Sequence, residues 1–245
     1  MFAGSGIDSQ DVDNSVDKRK PVIPAVLFDV DGTLVDSNYL HVHAWQRAFA
    51  EAGIDAETWR IHRSIGMDGS TLVRSLSGDA SDDARKRLKD LHSQYYKEAG
   101  PLLRVLPGAR ELLQRVADLG LQVVLATSAP EDELALLRKV LDCDDLVAEV
   151  TSAADVDTAK PKPDIIRVAL DRAGVSAGQA VFVGDAVWDA EASARASVAS
   201  IGLLSGGVSR AELETAGAVA VFENPCELLS HLDETPIARL TANRR

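Results

Sequence analysis

Asp29 and Asp31 stand one residue apart, where the apolar run Ala25-Val26-Leu27-Phe28 gives way to Gly32 and Thr33. Residues two apart in a strand point to the same side. Both carboxylates therefore start on one side, at the point where the strand ends and the chain turns. Two carboxylates that close repel each other unless a cation or a shared proton relieves them. One reading is a nucleophile and an acid/base beside a metal. The other is a solvated Asp-Gly turn closing a hairpin. Three further groups that can do chemistry lie downstream. Thr127-Ser128 follows a second apolar run. Lys160 opens Lys160-Pro161-Lys162-Pro163-Asp164. Gly184-Asp185-Ala186-Val187-Trp188-Asp189 follows a third run.

The elements that must position these residues can be read from periodicity. Strands are expected at 25–29, 122–126, 145–151, 180–183, 198–203 and 218–222. Helices are expected between them, near 108–119, 130–141, 164–173 and 190–196. Alternating strands and helices at this spacing imply an α/β fold, a Rossmann-like parallel sheet with helices on both faces. Ligands of such sheets sit outside the carboxyl ends of the strands. The aspartates, the hydroxyls, Lys160 and the Gly-Asp segment all fall at that edge. Residues 38–104 show no convincing strand. Val42, Trp45 and Phe49 form one helical stripe closed by Gly53, and Ala84, Leu88, Leu91 and Tyr95 form another. This block reads as an inserted all-helical domain. The expected organisation is a disordered leader at 1–20, an α/β core from 21–37 and 105–234, a helical cap at 38–104 and a flexible tail at 235–245.

Composition sets further bounds. The chain has 245 residues, 46% hydrophobic, and a formal net charge of −12. That suits a soluble globular protein and argues against nucleic acid or an anionic membrane as the main partner. It leaves room for an anionic small substrate, because a metal and local donors reverse the field inside one pocket. No apolar run approaches the ~18 residues of a membrane span, and residues 1–20 lack the apolar segment of a secretory signal. Cys143 and Cys226 are far apart and suggest neither a disulfide framework nor a zinc site. A cytoplasmic protein is expected; its oligomeric state, monomer or dimer, is not readable.

Asp29-x-Asp31-Gly32-Thr33, the strand-end Thr127, Lys160-Pro161-x-Pro163-Asp164 and Gly184-Asp185-x-x-x-Asp189, in that order, resemble the haloacid dehalogenase superfamily of aspartate-nucleophile phosphohydrolases. The resemblance runs from about Val22 to Leu232. The helical block after the first motif places the chain near the phosphoglycolate phosphatase and β-phosphoglucomutase branch. It implies Asp29 as nucleophile, forming an aspartyl-phosphate, and Asp31 as general acid/base. It also implies Mg²⁺ on the Asp29 side chain, the Asp31 backbone carbonyl and Asp185, with Asp189 supporting the metal site from behind. Thr127 and Ser128 would donate to the phosphoryl group, and Lys160 would neutralise charge. Backbone N–H groups near Gly32 and Ser128 could add donors.

Each residue also has a plainer role open to it. Thr127 or Ser128 could cap the next helix, Asp164 falls where an N-cap is expected, and Asp189 could begin a helix. Within the superfamily, Asp31 argues against a dehalogenase, and the stretch from Pro21 to Arg85 lacks the early cap lysine of a phosphonoacetaldehyde hydrolase. The residues 36–38 would form a hinge. His41 matches a cap-entrance histidine of related mutases and phosphatases, with a surface histidine as its alternative. Arg63 lies where this branch presents its specificity loop, suited to a second anionic group on the substrate. No role is matched for His43, His62, His92 or His231. The expected function is a Mg²⁺-dependent phosphatase of a small phosphorylated metabolite. A sugar-phosphate mutase and an idle binding domain are the alternatives.

Overall fold

The protein is described by a computed structural model covering residues 22–156 and 160–242. The leader expected at 1–20 lies outside the described residues. The chain opens with β1 (Ala25–Phe28), runs through the short β2 (Val35–Asp36), and enters four helices: α1 (Asn38–Glu51), α2 (Thr58–Ser64), α3 (Gly69–Leu76) and α4 (Asp82–Ala99). It returns at β3 (Arg104–Val105). Then follow α5 (Ala109–Asp118), β4 (Gln122–Ala126), α6 (Glu131–Leu141), β5 (Val147–Thr151), α7 (Asp164–Ala173) and β6 (Ala180–Gly184). The last elements are α8 (Val187–Arg195), β7 (Ala199–Leu203), α9 (Arg210–Ala216), β8 (Ala218–Phe222), α10 (Pro225–Ser230) and α11 (Pro236–Ala242).

Six strands form one parallel sheet in the order β5-β4-β1-β6-β7-β8. The fully buried β1 lies at its centre, with Phe28 level with Leu125 of β4 and Val183 of β6. Alternation divides the core. Val26 and Phe28 face a cluster with Leu112, Val116 and Leu137 of α5 and α6, whereas Ala25 and Leu27 face Ile165 and Ala169 of α7. The sheet therefore carries helices on both faces. The first of these clusters continues without a break into Val42, Trp45, Phe49, Leu72 and Leu88 of the inserted helices. The chain leaves for the insertion and returns at one place, where β2 and β3 pair antiparallel, Val35 opposite Val105 and Asp36 opposite Arg104.

Several local expectations are corrected. Residues from 235 do not all fray: α11 runs Pro236–Ala242 and buries Ile237 and Leu240 in the core. Asp164 is the first residue of α7 rather than its N-cap, and Pro163 precedes it. Ser128 does not cap α6, which starts three residues later behind Pro130 without a side-chain cap. Pro fits a helix entrance because it lacks the N–H that would need capping. The helix expected from 190 starts at Val187, so Asp189 lies in its first turn. Both cysteines are free thiols, Cys143 buried and Cys226 exposed. Among the described residues no helix is long and apolar enough to cross a membrane.

Candidate active site

The carboxyl ends of β1, β4 and β6 bring Asp29, Asp31, Thr127, Ser128, Asp185 and Asp189 together, and Lys160 joins them from the segment before α7. All but Asp189 border an open cavity of about 940 Å³ between the sheet edge and the inserted helices. At its floor, Lys160 is almost fully buried. Its Nζ donates to Asp29 Oδ1 at 2.6 Å and lies 2.7 Å from Asp189 Oδ1, at ion-pair distance though off the hydrogen-bond direction. Burial alone would depress the Lys160 ammonium, but Asp189 and Asp29 outweigh it and keep it charged.

One ammonium faces three buried carboxylates. Burial pushes the Asp29 carboxyl well above its usual range, Lys160 opposes that, and the charges of Asp189 and Asp185 add to it. Burial and the Asp189 charge push Asp185 up to about 7, against the donors Thr33 and Asn38. Ligand oxygens of Asp29, Asp185 and Asp189 all lie within 4.8 Å of one another. Such an excess of buried negative charge fits a divalent cation, whose hard oxygen-rich environment this is. A second observation agrees: Asn38 Oδ1 is buried and has no hydrogen-bond partner.

Asp185 is held by packing as well as by hydrogen bonds. Thr33 Oγ1 donates to Oδ1 at 2.9 Å and Asn38 Nδ2 to Oδ2 at 2.7 Å. Two glycines make room for it. At Gly32, whose φ is +71°, a Cβ would come within 2.4 Å of both Asn38 Nδ2 and Asp185 Oδ2; at Gly206 it would come within 1.9 Å of Asp185 Oδ2. Asp189 is committed elsewhere. Its Oδ2 accepts from the N–H groups of Asp185 (3.2 Å) and Ala186 (3.1 Å), so it braces the segment that carries Asp185.

Asp31 is separated electrically from this cluster. Its Oδ1 accepts from Ser37 Oγ at 2.6 Å, His41 Nε2 at 3.1 Å and Tyr96 Oη at 3.4 Å. Burial would raise its carboxyl, yet His41 and these hydroxyls hold it below the usual carboxylate range. The two aspartates thus sit in different surroundings: Asp29 beside Lys160 and two further carboxylates, Asp31 among donors that favour its carboxylate form.

Donors for an anion stand beside Asp29. Thr127 Oγ1 accepts from Ala129 N at 3.1 Å, which leaves its own hydrogen to give. Ser128 Oγ is buried without a partner. The N–H of Gly32 is not available: it donates to Val35 O at 2.8 Å.

The inserted helices differ from the sequence expectation in detail. His41 is buried against Asp31, not on a surface. His92, given no role by the sequence, lies 3.1 Å from His41, Nε2 to Nδ1. Arg63 does not line the large cavity; it pairs with Glu212 at the start of α9. Arg74 of α3 does line it and, among the described residues, has no hydrogen-bond or ion-pair partner. Tyr96 and Glu133 are site residues that the sequence reading missed, and Ser37 and Asn38, read only as hinge residues, contact Asp31 and Asp185. Ser37 and Asn38 carried a signal, a Ser-Asn pair directly at the hinge after the paired aspartates. His92 and Tyr96 repeat the i, i+4 spacing of His41 and Trp45.

Residues 26–203 match the family model described as haloacid dehalogenase-like hydrolase. The chain is 31% identical to a phosphoglycolate phosphatase of Rhodospirillum rubrum over 210 residues, which is 82% of this chain and 87% of that one. It is 30% identical to a phosphorylated carbohydrates phosphatase of Thermotoga maritima over 217 residues, 86% of this chain and 98% of that one. A crystal structure of a hydrolase from Pseudomonas syringae superposes with a TM-score of 0.83 at 39% identity, covering 86% of this chain and 98% of that one. A β-phosphoglucomutase from Clostridium difficile shares the fold at a TM-score of 0.77 and 20% identity, covering 90% and 99%.

Proposed function

Because the chain belongs to the haloacid dehalogenase-like hydrolases and is a phosphatase of phosphorylated metabolites, we propose that it works through an aspartyl-phosphate on Asp29 with the aid of Mg²⁺. The single observation behind this reading is the contrast between the two aspartates. Asp29 is steered by Lys160 on one oxygen, and Asp31 is surrounded by proton donors. Lys160 fixes Asp29 Oδ1 and leaves Oδ2 to attack phosphorus; the P–O bond to the leaving group breaks as the new P–O bond forms. Thr127 and Ser128 give hydrogen bonds to the phosphoryl oxygens, and the Lys160 charge offsets theirs.

Asp31 rests as a carboxylate against His41, whose imidazole its charge favours in the protonated form; a proton passed from His41 through Asp31 goes to the departing alkoxide and leaves Asp31 a carboxylate. That carboxylate then takes a proton from the water that attacks the aspartyl-phosphate, releasing phosphate and restoring Asp29. Asp29, Asp185 and the Asp31 carbonyl would hold Mg²⁺, which supplies charge neutralisation for the transferring group. The inserted helices act as a cap over the cavity and choose the substrate, with closure excluding water. The names of the relatives favour a small phosphomonoester, phosphoglycolate-like or a sugar phosphate.

A screen of phosphomonoesters with Mg²⁺, comparing wild type with Asp29→Asn, tests the reading. Phosphate release is expected from the wild type, and a loss of at least about a thousandfold from the variant, as for removal of a nucleophile. Turnover that survives in Asp29→Asn would refute it. Glucose 1-phosphates converted to glucose 6-phosphate without release of phosphate would indicate a mutase instead.

A further inference from the structure

Beyond Asp31 the buried contacts do not stop at His41. His41 Nδ1 lies 3.1 Å from His92 Nε2, and His92 Nδ1 lies 3.7 Å from Glu133 Oε1. All three side chains are buried. The outer two of the four residues come from the α/β core and the inner two from the inserted helices. Asp31 follows β1, His41 lies on α1, His92 on α4, and Glu133 in the first turn of α6.

The geometry is that of a relay rather than a metal site, although the three groups lie close enough together to suggest one. The two imidazole centroids are 5.2 Å apart with 15° between their planes. With a nitrogen–nitrogen separation of 3.1 Å, the rings meet edge to edge in nearly one plane. Each facing nitrogen points its lone pair or its hydrogen at the other, so no common point receives both lone pairs. True stacking occurs on the faces: Tyr96 covers His41 at 3.9 Å and Trp45 covers His92 at 4.0 Å. The two rings are clamped, and only the placement of hydrogens remains to be set.

We propose that His92 and Glu133 are positioning residues for Asp31, fixing the His41 tautomer that presents Nε2–H to its carboxylate. The inference rests on the phosphatase reading above and assigns residues it does not use. For neutral His41 to donate from Nε2, its Nδ1 must accept, and the donor is His92 Nε2–H. His92 Nδ1 is then a lone pair, which faces Glu133. Burial pushes the Glu133 carboxyl up to about 7, against the pull of His41, so its acid form is populated near neutrality; it faces the His92 lone pair across 3.7 Å, and a small side-chain shift brings its hydrogen into bonding range. Ionised Glu133 selects the reverse arrangement, with His92 Nδ1–H toward Glu133 and a doubly protonated His41. In both, a hydrogen on His41 Nε2 faces Asp31. Without Glu133, the Asp31 carboxylate alone must hold the hydrogen on His41 Nε2, and His92 is free to present either nitrogen to His41 Nδ1, which weakens that hold.

Leaving-group chemistry supplies the test. An alkyl phosphate needs a proton from Asp31 as the ester bond breaks; p-nitrophenyl phosphate releases a stable phenolate and needs little. The measured quantity is kcat/KM, which covers steps up to departure of the leaving group. Glu133→Leu is expected to lower it roughly tenfold to a hundredfold on the alkyl ester, part of what a general acid contributes, and by less than about threefold on the nitrophenyl ester. Glu133→Gln, which can donate or accept at the same place, is expected to restore the alkyl rate to within about threefold. His92→Phe keeps a ring against Trp45 without its nitrogens and should show the same selective loss, so the idea stays testable if Glu133→Leu does not fold. An equal fall on both esters, or no fall on either, overturns the proposal. Absence of wild-type turnover, or turnover persisting in Asp29→Asn, would instead refute the phosphatase reading.

Discussion

Replacing Gly206 by alanine should damage the candidate metal site with almost no other effect. Gly206 lies just after β7, in an ordinary backbone conformation, so alanine adds no strain of its own. Its new Cβ, however, would stand 1.9 Å from Asp185 Oδ2 and 2.7 Å from Cγ. A tolerable carbon–oxygen contact is about 3.3 Å, so the carboxylate must retreat by at least about 1.4 Å. The 2.7 Å bond from Asn38 Nδ2 to that oxygen then stretches beyond reach. A hydrogen bond to a charged group contributes about 1.5–3 kcal/mol, and metal ligation tolerates displacements of only ~0.2 Å. The expected result is a rise of about ten- to a hundredfold in the Mg²⁺ concentration for half-maximal phosphatase activity, comparable to loss of a supporting contact in a metal site. The assay is a Mg²⁺ titration of phosphate release, paired with thermal unfolding with and without Mg²⁺. Gly178→Ala, where a Cβ meets nothing within 4 Å, is the control. A Gly206→Ala enzyme with the Mg²⁺ dependence of wild type would refute the assignment of Asp185 as a ligand.

Further predictions concern Glu133 and two arginines of the insertion. Glu133 has its carboxyl pushed from an ordinary 4.5 up to about 7, chiefly by burial. The folded state therefore holds this proton longer than the unfolded chain, and its contribution to stability falls as pH rises from 4.5 through 7, by at most about 3 kcal/mol. Denaturant unfolding should show that decline, and Glu133→Gln should flatten it. His92, kept neutral by burial and by His41, acts in the opposite direction below its usual 6.5, so the difference between variant and wild type is the quantity to read. Arg74→Ala should raise KM roughly tenfold for a phosphomonoester bearing a second anionic group, with kcat retained, as expected for a lost charge-assisted contact. Arg63→Ala, whose side chain is already engaged by Glu212, should leave KM within about twofold.

The sheet was legible because its strands are short apolar runs, and the edge that carries the candidate site because three of those runs give way to unusual residues. Asp29, Thr127 and Asp185 stand directly at such ends, and a parallel sheet brings strand ends together whatever the loops do. Lys160 was legible only through the two prolines that follow it; nothing in its spacing tells that its ammonium lies buried between two aspartates. The insertion was legible as helices and little more. His92 and Tyr96 share a stripe with Leu88 and Tyr95, and a stripe shows which face is inward, not what it meets. Arg63 and Arg74 both follow polar helical patterns, and only packing decides which one borders the cavity. The stretch at 236–242 was misread because α11 is a seven-residue helix that buries just Ile237 and Leu240, too few apolar side chains to display a period.

The β2–β3 pair bears on how the chain folds. Roughly 70 residues lie between its two strands, and closing a loop of that length costs about 4 kcal/mol of entropy before any contact forms. Two opposed residue pairs, with net hydrogen-bond contributions of about 1 kcal/mol each, do not offset that cost. The seam is held by what lies beyond it, the packing of α1 against α4 and of both against the core cluster. Ser37, which donates to Asp31, is the first residue past the seam. An insertion that loosens therefore does more than uncover the cavity: it unfastens the point from which Asp31 is held, so local unfolding and loss of the alignment proposed for that side chain become a single event.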